Sequence, residues 1–422
     1  MTPWRRGKLL AGGEGHGRSV FFNRIWFTGA ALALLAGMVA GKPALALFAL
    51  LILLTAALAW GWNRLCLSQL DYQREFSATR VFPGELVTMT IRIGDWKLLP
   101  VTGLGVDEEI ADALVPLDQP TSLGAIPGRR TMHFTTSVRP FERISWPVTL
   151  RCERRGWHSL GPAVLRASDP FGFFTSRATI DADDAVLVYP RVHTLRDLGF
   201  PTRQPFGETR TSRDLLTDPS RVIGVRDYRP DDPFRSIHWK ATARLMRLQV
   251  RVNEPAASLQ LGIFINLDTF EHYWEGLDIE LSERAIEVGA SIAAWAVAER
   301  YAVGVYANGI VAGSDQPLRA PPSRGPNQLP RLLEGLAKIT PYSTVSFMRL
   351  LKTETVRYPW GSTAVIVTSM MPESLSVHLG MMIASGLRVV LVPLDTCPIP
   401  RLPGLVVRPL SAADTRLLEP VG

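Results

Sequence analysis

The chain of 422 residues is long enough for two or three domains, because a typical domain holds about 150 residues. It carries 46 Lys and Arg against 39 Asp and Glu, and its three cysteines, Cys66, Cys152 and Cys397, lie far apart in sequence. Three widely spaced cysteines exclude a disulfide-framed secreted scaffold and a zinc ribbon. They suit a protein body that remains in the reducing cytosol.

The net charge of +7 is concentrated in two stretches. Residues 1–24 hold five basic residues and one acidic residue, and residues 203–251 hold eleven basic and six acidic residues. These excesses of +4 and +5 add to +9, so the rest of the chain has a net charge of −2. We predict a basic cytoplasmic N-terminus over 1–24 and a separate basic segment in the middle of the chain.

Two uncharged apolar stretches follow the basic N-terminus. Residues 25–41 lie between Arg24 and Lys42, and residues 43–63 lie between Lys42 and Arg64. As helices they would be roughly 26 and 31 Å long, close to the ~30 Å hydrocarbon core of a bilayer. We predict a transmembrane helical hairpin over 25–63. The alternatives are a cleaved signal peptide and a buried hairpin of a soluble protein.

The residues that flank the hairpin predict its orientation. Basic residues cluster before Ile25 and recur at Arg64 and Arg74, whereas the turn carries only Lys42. The positive-inside rule then places both ends of the hairpin in the cytoplasm. The predicted location is the cytoplasmic (inner) membrane, with two passes and both termini cytoplasmic.

Residues 65–190 show short alternating strands separated by turn residues, such as Val87–Ile93 and Met132–Val138. Regularly spaced short strands favour a β-sandwich-like domain. Within it, residues 168–174 combine an Asp-Pro-Phe-Gly turn with three aromatic rings. One interpretation is a turn with aromatic packing. The other is a docking edge that presents Phe171, Phe173 and Phe174 to a partner.

Residues 191–256 are predicted to be a linker followed by a motif segment in which charges of both signs alternate with aromatic residues. The candidate binding or clamping residues are Arg226, Asp227, Tyr228, Arg229, Asp232, Arg235, His238, Trp239, Lys240 and Arg244. So many interleaved acids argue against a phosphate-tracking, nucleic-acid-binding surface.

Two interpretations of the motif segment remain. Arginine forks suit an ion-pair lattice that clamps the segment across two domains, with Tyr228 and Trp239 packed inside. The segment would otherwise be a surface that captures an anionic or acidic partner. His238 has no nearby nucleophile, so we do not assign it as a catalytic base.

Residues 257–422 alternate between strand and helix, which predicts an α/β doubly wound domain. Tyr301–Ala307 is predicted to be a strand that ends in an Asn308-Gly309 hairpin turn. The sequence contains neither GxGxxG nor GxxxxGK[ST], so nucleotide binding is not expected. Ligands of such sheets lie beyond the carboxyl ends of the strands, where Asp268 is the kind of residue that holds Mg²⁺.

Three motifs together resemble one family. They are Arg154-Arg155-Gly156 with Leu160-Gly161-Pro162, then Asp169-Pro170-Phe171-Gly172, and the long motif from Gly224 to Arg244 that contains Ile237-His238-Trp239-Lys240. The chain resembles the bacterial domain of unknown function 58 family, which is found beside MoxR-type AAA+ ATPases. The resemblance covers most of the chain. One departure is Asp231-Asp232, where the family usually shows Gly-Asp.

The resemblance implies a membrane hairpin, a β-rich domain and a von Willebrand A-like domain, but no activity defines the family. Domains of the von Willebrand A type often hold a metal through an Asp-x-Ser-x-Ser motif. Asp268 matches its first position, whereas Phe270 and His272 stand at the serine positions. No cofactor is therefore expected. Mg²⁺ bound through Asp268, with the hydroxyls of Thr269 and Ser369, is the alternative.

Two functional hypotheses follow. The first is a membrane-anchored, non-enzymatic adaptor or scaffold that docks a MoxR-type AAA+ ATPase and envelope or membrane clients. The second is a metal-dependent ligand receptor or enzyme that works at Asp268. Neither nucleic acid nor nucleotide is an expected partner.

Overall fold

The computed structural model describes residues 18–19, 24–124, 126–181, 184–201, 205–206, 217–230, 232–255, 260–271, 273–395 and 397–410. The chain divides into two compact units, Met1–Tyr189 (unit 1) and Pro190–Gly422 (unit 2). Most of the predicted basic N-terminus and of the predicted linker over 203–220 lies outside the described residues, as do Asp231 and His272.

Unit 1 begins with a helical hairpin of α1 (Arg24–Val39) and α2 (Pro43–Cys66). Gly41, at φ +63°, ends α1 in the left-handed conformation, and the next amide, that of Lys42, donates to the Gly37 carbonyl at 3.0 Å. This is the hydrogen bond with which a Schellman cap closes a helix, and proline then starts α2 at a position that needs no N–H. The helices touch closely, since a Cβ on Gly37 would lie 2.8 Å from the Ala46 nitrogen.

The hairpin exposes apolar side chains along most of its length. By length and composition α2 could cross a membrane, and a shorter apolar stretch covers Thr28–Val39. The large exposed side chains are Leu32, Leu35, Met38, Val39, Leu45, Leu47, Phe48, Leu50, Leu51, Leu54 and Leu58. Soluble monomers rarely expose an apolar patch of this extent.

The remainder of unit 1 is built from β-strands. With β1 (Arg18–Ser19), they are β2 (Leu70–Phe76), β3 (Arg80–Val81), β4 (Leu86–Asp95), β5 (Val101–Ala111), β6 (Leu114–Pro116), β7 (Thr121–Leu123), β8 (Arg129–Val138), β9 (Arg143–Cys152), β10 (Gly156–Ser159), β11 (Ala163–Ser168), β12 (Phe174–Ile180) and β13 (Ala185–Val188). The described strands form three sheets in the orders β1-β12-β11-β5-β8-β7, β2-β4-β9-β6 and β10-β13-β3. The first two sheets share one apolar core, to which alternate residues of β4, β5, β8, β9 and β11 contribute.

The last turn of α2 is part of this core. Cys66 is fully buried, and Trp62 packs against the same cluster. The Ser176 hydroxyl on β12 donates to the Asn63 carbonyl at 2.8 Å. The hairpin is therefore joined to the sandwich by packing and by a hydrogen bond as well as by the chain.

Unit 2 contains strands β14 (Thr217–Asp227), β15 (Gln249–Pro255), β16 (Gln260–Ile265), β17 (Ala302–Val311), β18 (Pro317–Ser323), β19 (Ile339–Ser343), β20 (Thr363–Thr368), β21 (Arg388–Pro393) and β22 (Val406–Val407). Its α-helices are α3 (Trp239–Leu245), α4 (Ile279–Ala298), α5 (Gln328–Lys338), α6 (Phe347–Thr355) and α7 (Glu373–Ala384). The main sheet runs β18-β17-β16-β20-β21-β22, and all neighbours are parallel except β18 with β17.

Helices cover both faces of this sheet. On one face α4 approaches β16 so closely that a Cβ on Gly289 would lie 2.3 Å from the Ile265 side chain. On the other face Phe264 packs in a cluster with apolar residues of α6 and α7. Consecutive residues of β16 thus point to opposite helical layers, which explains its continuous apolar run.

The Asn308-Gly309 pair does not form the predicted hairpin turn. Both residues lie inside β17, and Asn308 is fully buried. Position 309 has no room for a side chain, because a Cβ on Gly309 would lie 2.4 Å from the Thr340 carbonyl oxygen on the neighbouring β19. The turn after β17 instead lies between Val311 and Pro317, where β18 begins.

Candidate functional site

The motif segment folds as a small antiparallel ribbon with a short helix. Strand β14 pairs with β15, so that Asp227 lies opposite Gln249 and Arg226 opposite Val250. Between the strands the chain forms a turn, a single 3₁₀ turn at Phe234–Ser236 and the two-turn helix α3.

Arginine and aspartate fix the turn after β14. The Arg226 guanidinium donates to both carboxylate oxygens of Asp232, through Nη1 at 2.7 Å and through Nη2. The Arg229 amide donates to the same carboxylate at 2.8 Å. The hydrogen bonds from Arg226 and then from Arg229 lower the pKa of Asp232 below its usual range. Arg226 and Asp232 therefore have a structural role, because their hydrogen bonds hold this turn in place.

Asp227 and His238 are also engaged within the ribbon. The Asp227 carboxylate accepts a hydrogen bond from Gln249, which is buried. His238 is the N-cap of α3, and its Nδ1 accepts from the Ala241 amide at 3.1 Å. An imidazole that accepts a hydrogen bond from an amide of the first helical turn has a local structural task.

The rest of the motif faces solvent. Phe234 is 75% exposed and Trp239 is 66% exposed, while Tyr228 is half-buried and stacks on Phe234 with ring centroids 6.0 Å apart. We call the exposed set the motif surface: Phe234, Trp239, Leu245, Met246 and Leu248, with Arg229, Arg235, Lys240, Arg244 and Arg247. Within the described residues, Arg235, Lys240 and Arg244 form no ion pair.

The polar contacts of Arg226, Asp227 and Asp232 lie within the ribbon, so the clamp across two domains stays a prediction. Trp239, which was expected to pack inside, is exposed. A two-stranded ribbon with one seven-residue helix has too few layers to enclose both aromatic rings. The exposed basic and aromatic residues are left available for a partner.

The predicted docking edge of unit 1 is a tight turn. The buried Asp169 carboxylate accepts from the amides of Phe171 at 3.0 Å and Phe174 at 2.6 Å. Phe174 points into the domain and is 5% exposed, so it cannot contact a partner. Phe171 is 55% exposed and stacks on the half-buried Phe173. The exposed edge is thus reduced to Phe171 and part of Phe173.

A second polar cluster lies at the carboxyl ends of β16, β17 and β20, around Asp268. One carboxylate oxygen, Oδ2, accepts from Asn308 Nδ2 at 2.8 Å. The other, Oδ1, accepts from the Ser343 hydroxyl at 2.7 Å, and the amide of Phe347, the first residue of α6, also donates to the carboxylate. Asn308 in turn accepts from the Leu267 amide at 2.9 Å.

The two predicted companions of Asp268 have other contacts. The Thr269 hydroxyl accepts from the Asp278 amide at 2.9 Å, beside the N-terminus of α4. The Ser369 hydroxyl donates to the backbone carbonyl of Asp268 at 3.4 Å. Sequence reasoning missed Asn308 and Ser343, because the first stands in a turn-like dipeptide and the second is distant in the chain.

Both carboxylate oxygens of Asp268 accept hydrogen bonds from protein donors. The described residues contain no group of three or more His, Cys, Asp and Glu side chains with metal-site geometry. Through these hydrogen bonds the cluster links three strand ends to the start of α6.

Asp268 predicts a pH dependence. Burial raises its pKa, and the hydrogen bonds from Ser343, Asn308 and Phe347 offset part of that rise. The folded carboxyl then binds its proton more tightly than the unfolded one, so stability rises as pH falls toward the raised pKa and drops as pH increases. We expect wild type to gain stability relative to Asp268→Asn between about pH 7 and about pH 4.5 in denaturant titrations. A constant difference across that range would contradict the assignment.

Comparison with known proteins identifies the family through the motif segment and the α/β sheet. The family model described as "Protein of unknown function DUF58" matches residues 224–392, which span the motif ribbon and the sheet from β16 to β21. Residues 224–392 of the chain therefore belong to this family. The match to DUF58 therefore includes both the motif surface and the Asp268 cluster.

One DUF58 relative has a recorded name but no described activity. The uncharacterized protein YeaD of Bacillus subtilis is 24% identical over 221 residues, which is 52% of this chain and 51% of YeaD. The chain thus spans about half the length of the relative that it matches.

Solved structures are similar only over short parts of this DUF58 chain. A cohesin module from a Clostridium perfringens family 33 glycoside hydrolase is 10% identical and covers 28% of this chain and 96% of its own, with a TM-score of 0.21. The sporulation control protein Spo0M of Bacillus subtilis is 13% identical, with coverages of 29% and 50% and a TM-score of 0.17. Similarity at this level carries no argument about fold or function.

Proposed function

We propose that the protein is a membrane-anchored, non-enzymatic adaptor that docks a MoxR-type AAA+ ATPase through the motif surface. The observation that carries this proposal is the exposure of Phe234 and Trp239 beside Arg235, Lys240 and Arg244, which form no ion pair with any residue that the structure describes. Aromatic and arginine residues dominate the binding energy of protein interfaces, whereas isolated soluble domains normally bury such rings. The ATPase would supply an acidic face with apolar pockets, and envelope or membrane proteins would be the clients.

The anchor in this proposal is the α1–α2 hairpin, inserted twice through the cytoplasmic membrane with both termini in the cytoplasm. Two contacts support this arrangement. Strand β1, which precedes α1, pairs with β12, and α2 leads directly into β2 of the same domain. Both ends of the hairpin therefore meet one β-domain, which supports placing them on the same side of a bilayer.

We further propose that unit 2 is von Willebrand A-like. Numbering β16, β17, β18, β20, β21 and β22 in chain order, the sheet order is 3-2-1-4-5-6 with an antiparallel third strand. The order reverses between β16 and β20, where ligands of doubly wound sheets bind. The Asp268 cluster lies at this point, where its carboxylate accepts hydrogen bonds from Asn308, Ser343 and the amide of Phe347.

The test uses the full-length chain in lipid nanodiscs and the purified MoxR-type ATPase of the same organism. Trp239→Ala should weaken binding by about 30-fold or more, the loss expected for an interfacial hot spot of about 2 kcal/mol. Arg235→Glu should also weaken binding of the ATPase. The weakening should be larger at low salt than at high salt, because the effect is electrostatic.

Trp360→Ala is the matched control, since Trp360 is equally exposed (67%) in the same unit but lies outside the motif. It should bind like wild type. Binding that is absent, or that Trp239→Ala and Arg235→Glu leave unchanged, would contradict the proposal.

A further inference from the structure

One end of the β-sandwich is defined by the point where α2 enters it. Strand β2 starts at Leu70, a few residues after α2, and pairs Leu70 with Asp95 at the end of β4. Gly94 pairs with Arg143 at the start of β9, and Val101 at the start of β5 pairs with Val138 at the end of β8.

The β11–β12 turn lies at the same end. The Thr102 hydroxyl near the start of β5 donates to the carbonyl of Ser168, the last residue of β11, and Ser168 pairs with Thr175 near the start of β12. The loops over 96–100, 139–142 and 169–173 therefore share one end of the sandwich with the last turn of α2. We call it the junction end.

Each of these three loops exposes large apolar side chains. Trp96 is 50% exposed and Leu98 is 82% exposed in the first loop. Phe141, in the second loop, is 61% exposed. The third loop presents Phe171, at 55%, stacked on Phe173. Loop tips of a water-soluble domain are usually polar, so three apolar tips around one helix require an explanation.

Phe141 is held in a conformation that its side chain disfavours. Its φ is +58°, in the left-handed region, where a residue with a Cβ is strained and glycine would be relaxed. A strained backbone with an exposed aromatic side chain indicates that the ring is useful in this place.

The acidic side chains of these loops are engaged internally. Asp95 pairs with Lys97 at 2.8 Å, and both are buried. Glu142 accepts from the Arg139 amide at 2.8 Å, and Asp169 accepts from the amides of its own turn. Their carboxylates are thus held by local donors within the loops.

Exposed arginines at this end lie over aromatic rings. The Arg143 guanidinium lies 4.5 Å from the centre of the Trp96 ring. That of Arg64 lies 5.5 Å from the centre of the Trp60 ring on α2. Arginine and tryptophan are the side chains that occupy the interface between lipid headgroups and acyl chains, with the apolar parts inward and the charge at the phosphates.

We infer that the junction end rests on the bilayer and inserts Trp96, Leu98, Phe141 and Phe171 into the lipid interface. The inference depends on the proposed membrane anchoring by α2, and it commits to lipid as the occupant of these loops. The reason is continuity, because the exposed apolar surface of α2 extends through Trp60 and Leu65 directly to the junction end. The Asp-Pro-Phe-Gly turn is then a lipid-contacting loop, and the β-domain has a fixed orientation relative to the membrane.

The test measures lipid contact at single positions of the full-length chain in nanodiscs that contain phosphatidylglycerol. Leu98→Cys, Phe141→Cys and Phe171→Cys each receive an environment-sensitive fluorophore, and the unsubstituted chain is the labelling blank because its cysteines are buried. Nitroxide lipids spin-labelled near the headgroup should reduce emission at all three positions by about twofold or more, as expected for side chains a few ångströms below the headgroups.

Two further positions separate the possible outcomes. Leu123→Cys is the negative control, because Leu123 is 94% exposed and pairs with Arg130 at the opposite end of β8. Leu54→Cys, in the middle of α2, reports anchoring in nanodiscs whose lipids carry the nitroxide deep in the acyl chains. If Leu54 is quenched while positions 98, 141 and 171 behave like 123, the inference is overturned and the anchor stands. If Leu54 is not quenched, both fail. If the fluorophores at positions 98, 141 and 171 become shielded from water only after the ATPase is added, the loops bind a protein and the lipid assignment is overturned.

Discussion

Replacing Arg74 with Met will destabilise unit 1 by about 3–5 kcal/mol, because the substitution leaves a buried carboxylate without its cation. Arg74 on β2 and Glu108 on β5 lie 2.8 Å apart, with side chains 1% and 0% exposed. The Tyr72 hydroxyl also donates to Glu108, and the Arg74 guanidinium lies over the Tyr72 ring. The pair joins the two sheets of the sandwich at their shared core.

The loss should grow with pH. Burial raises the pKa of Glu108, and Arg74 is the main influence that opposes this rise. Without Arg74, the Glu108 carboxyl must be protonated to remain buried in the folded protein. In the unfolded chain the same carboxyl ionises freely. The variant therefore loses stability as pH rises above the usual glutamate range. Denaturant titrations of the full-length chain in nanodiscs at about pH 5 and about pH 8 measure this difference.

The matched control is the double variant Arg74→Met, Glu108→Leu. Replacing a whole buried ion pair with apolar residues of similar volume is often neutral or stabilising, so this variant should recover part of the loss. The recovery is incomplete because the buried Tyr72 hydroxyl loses its acceptor. If the double variant is as unstable as Arg74→Met alone, the loss comes from packing around residue 74 and the electrostatic explanation is wrong.

The same pair explains one of the sequence motifs. Gly161 has a φ of +90°, and a Cβ there would lie 3.1 Å from Arg74 Nη2. Arg129 donates to the Gly161 carbonyl and, at 2.8 Å, to the Ser159 hydroxyl. The Leu160-Gly161-Pro162 motif thus covers the buried ion pair. No local pattern in the sequence could have revealed this, since Arg74 and Gly161 are 87 positions apart.

The regular elements were predictable because their residues carry local signals. The apolar run at Thr363–Thr368 is typical of a buried strand and coincides with β20. The apolar face at helical spacing over 282–300 is typical of a helix and overlaps α4, which starts at the Asp278 N-cap. The apolar stretches on either side of Lys42 became α1 and α2, since glycine at the turn and proline after it specify a cap and a start. These signals act within one turn or one strand.

The side-chain partners were not predictable, because they come from distant parts of the chain. Among the motif charges, sequence alone could not separate Arg226, which is bound to Asp232, from Arg235, which faces solvent. Trp239 was expected inside on composition, yet its exposure depends on how few layers surround the ribbon. Around Asp268, strand order brings Asn308 and Ser343 to it, and that order is a property of the whole sheet.

Replacing Asn308 with Ala will destabilise unit 2 by about 3 kcal/mol, because two buried groups lose their partner. The Asn308 side chain is fully buried, accepts from the Leu267 amide and donates to Asp268. Alanine can do neither, and each buried group left without a partner costs about 1–3 kcal/mol. Equilibrium unfolding by denaturant measures the loss.

A double-mutant cycle with Asp268→Ala decides whether this cluster works as a unit. If Asp268 is held mainly by Asn308 and Ser343, removing Asp268 first should make Asn308→Ala less damaging, with a coupling of about 1 kcal/mol or more. The Leu267 amide loses its acceptor in either background, so part of the loss should remain. If the stability losses of Asn308→Ala and Asp268→Ala add up to that of the double variant within about 0.5 kcal/mol, Asn308 acts through the β16–β17 contact alone. The carboxylate would then be the part of the cluster left free for a ligand or a partner.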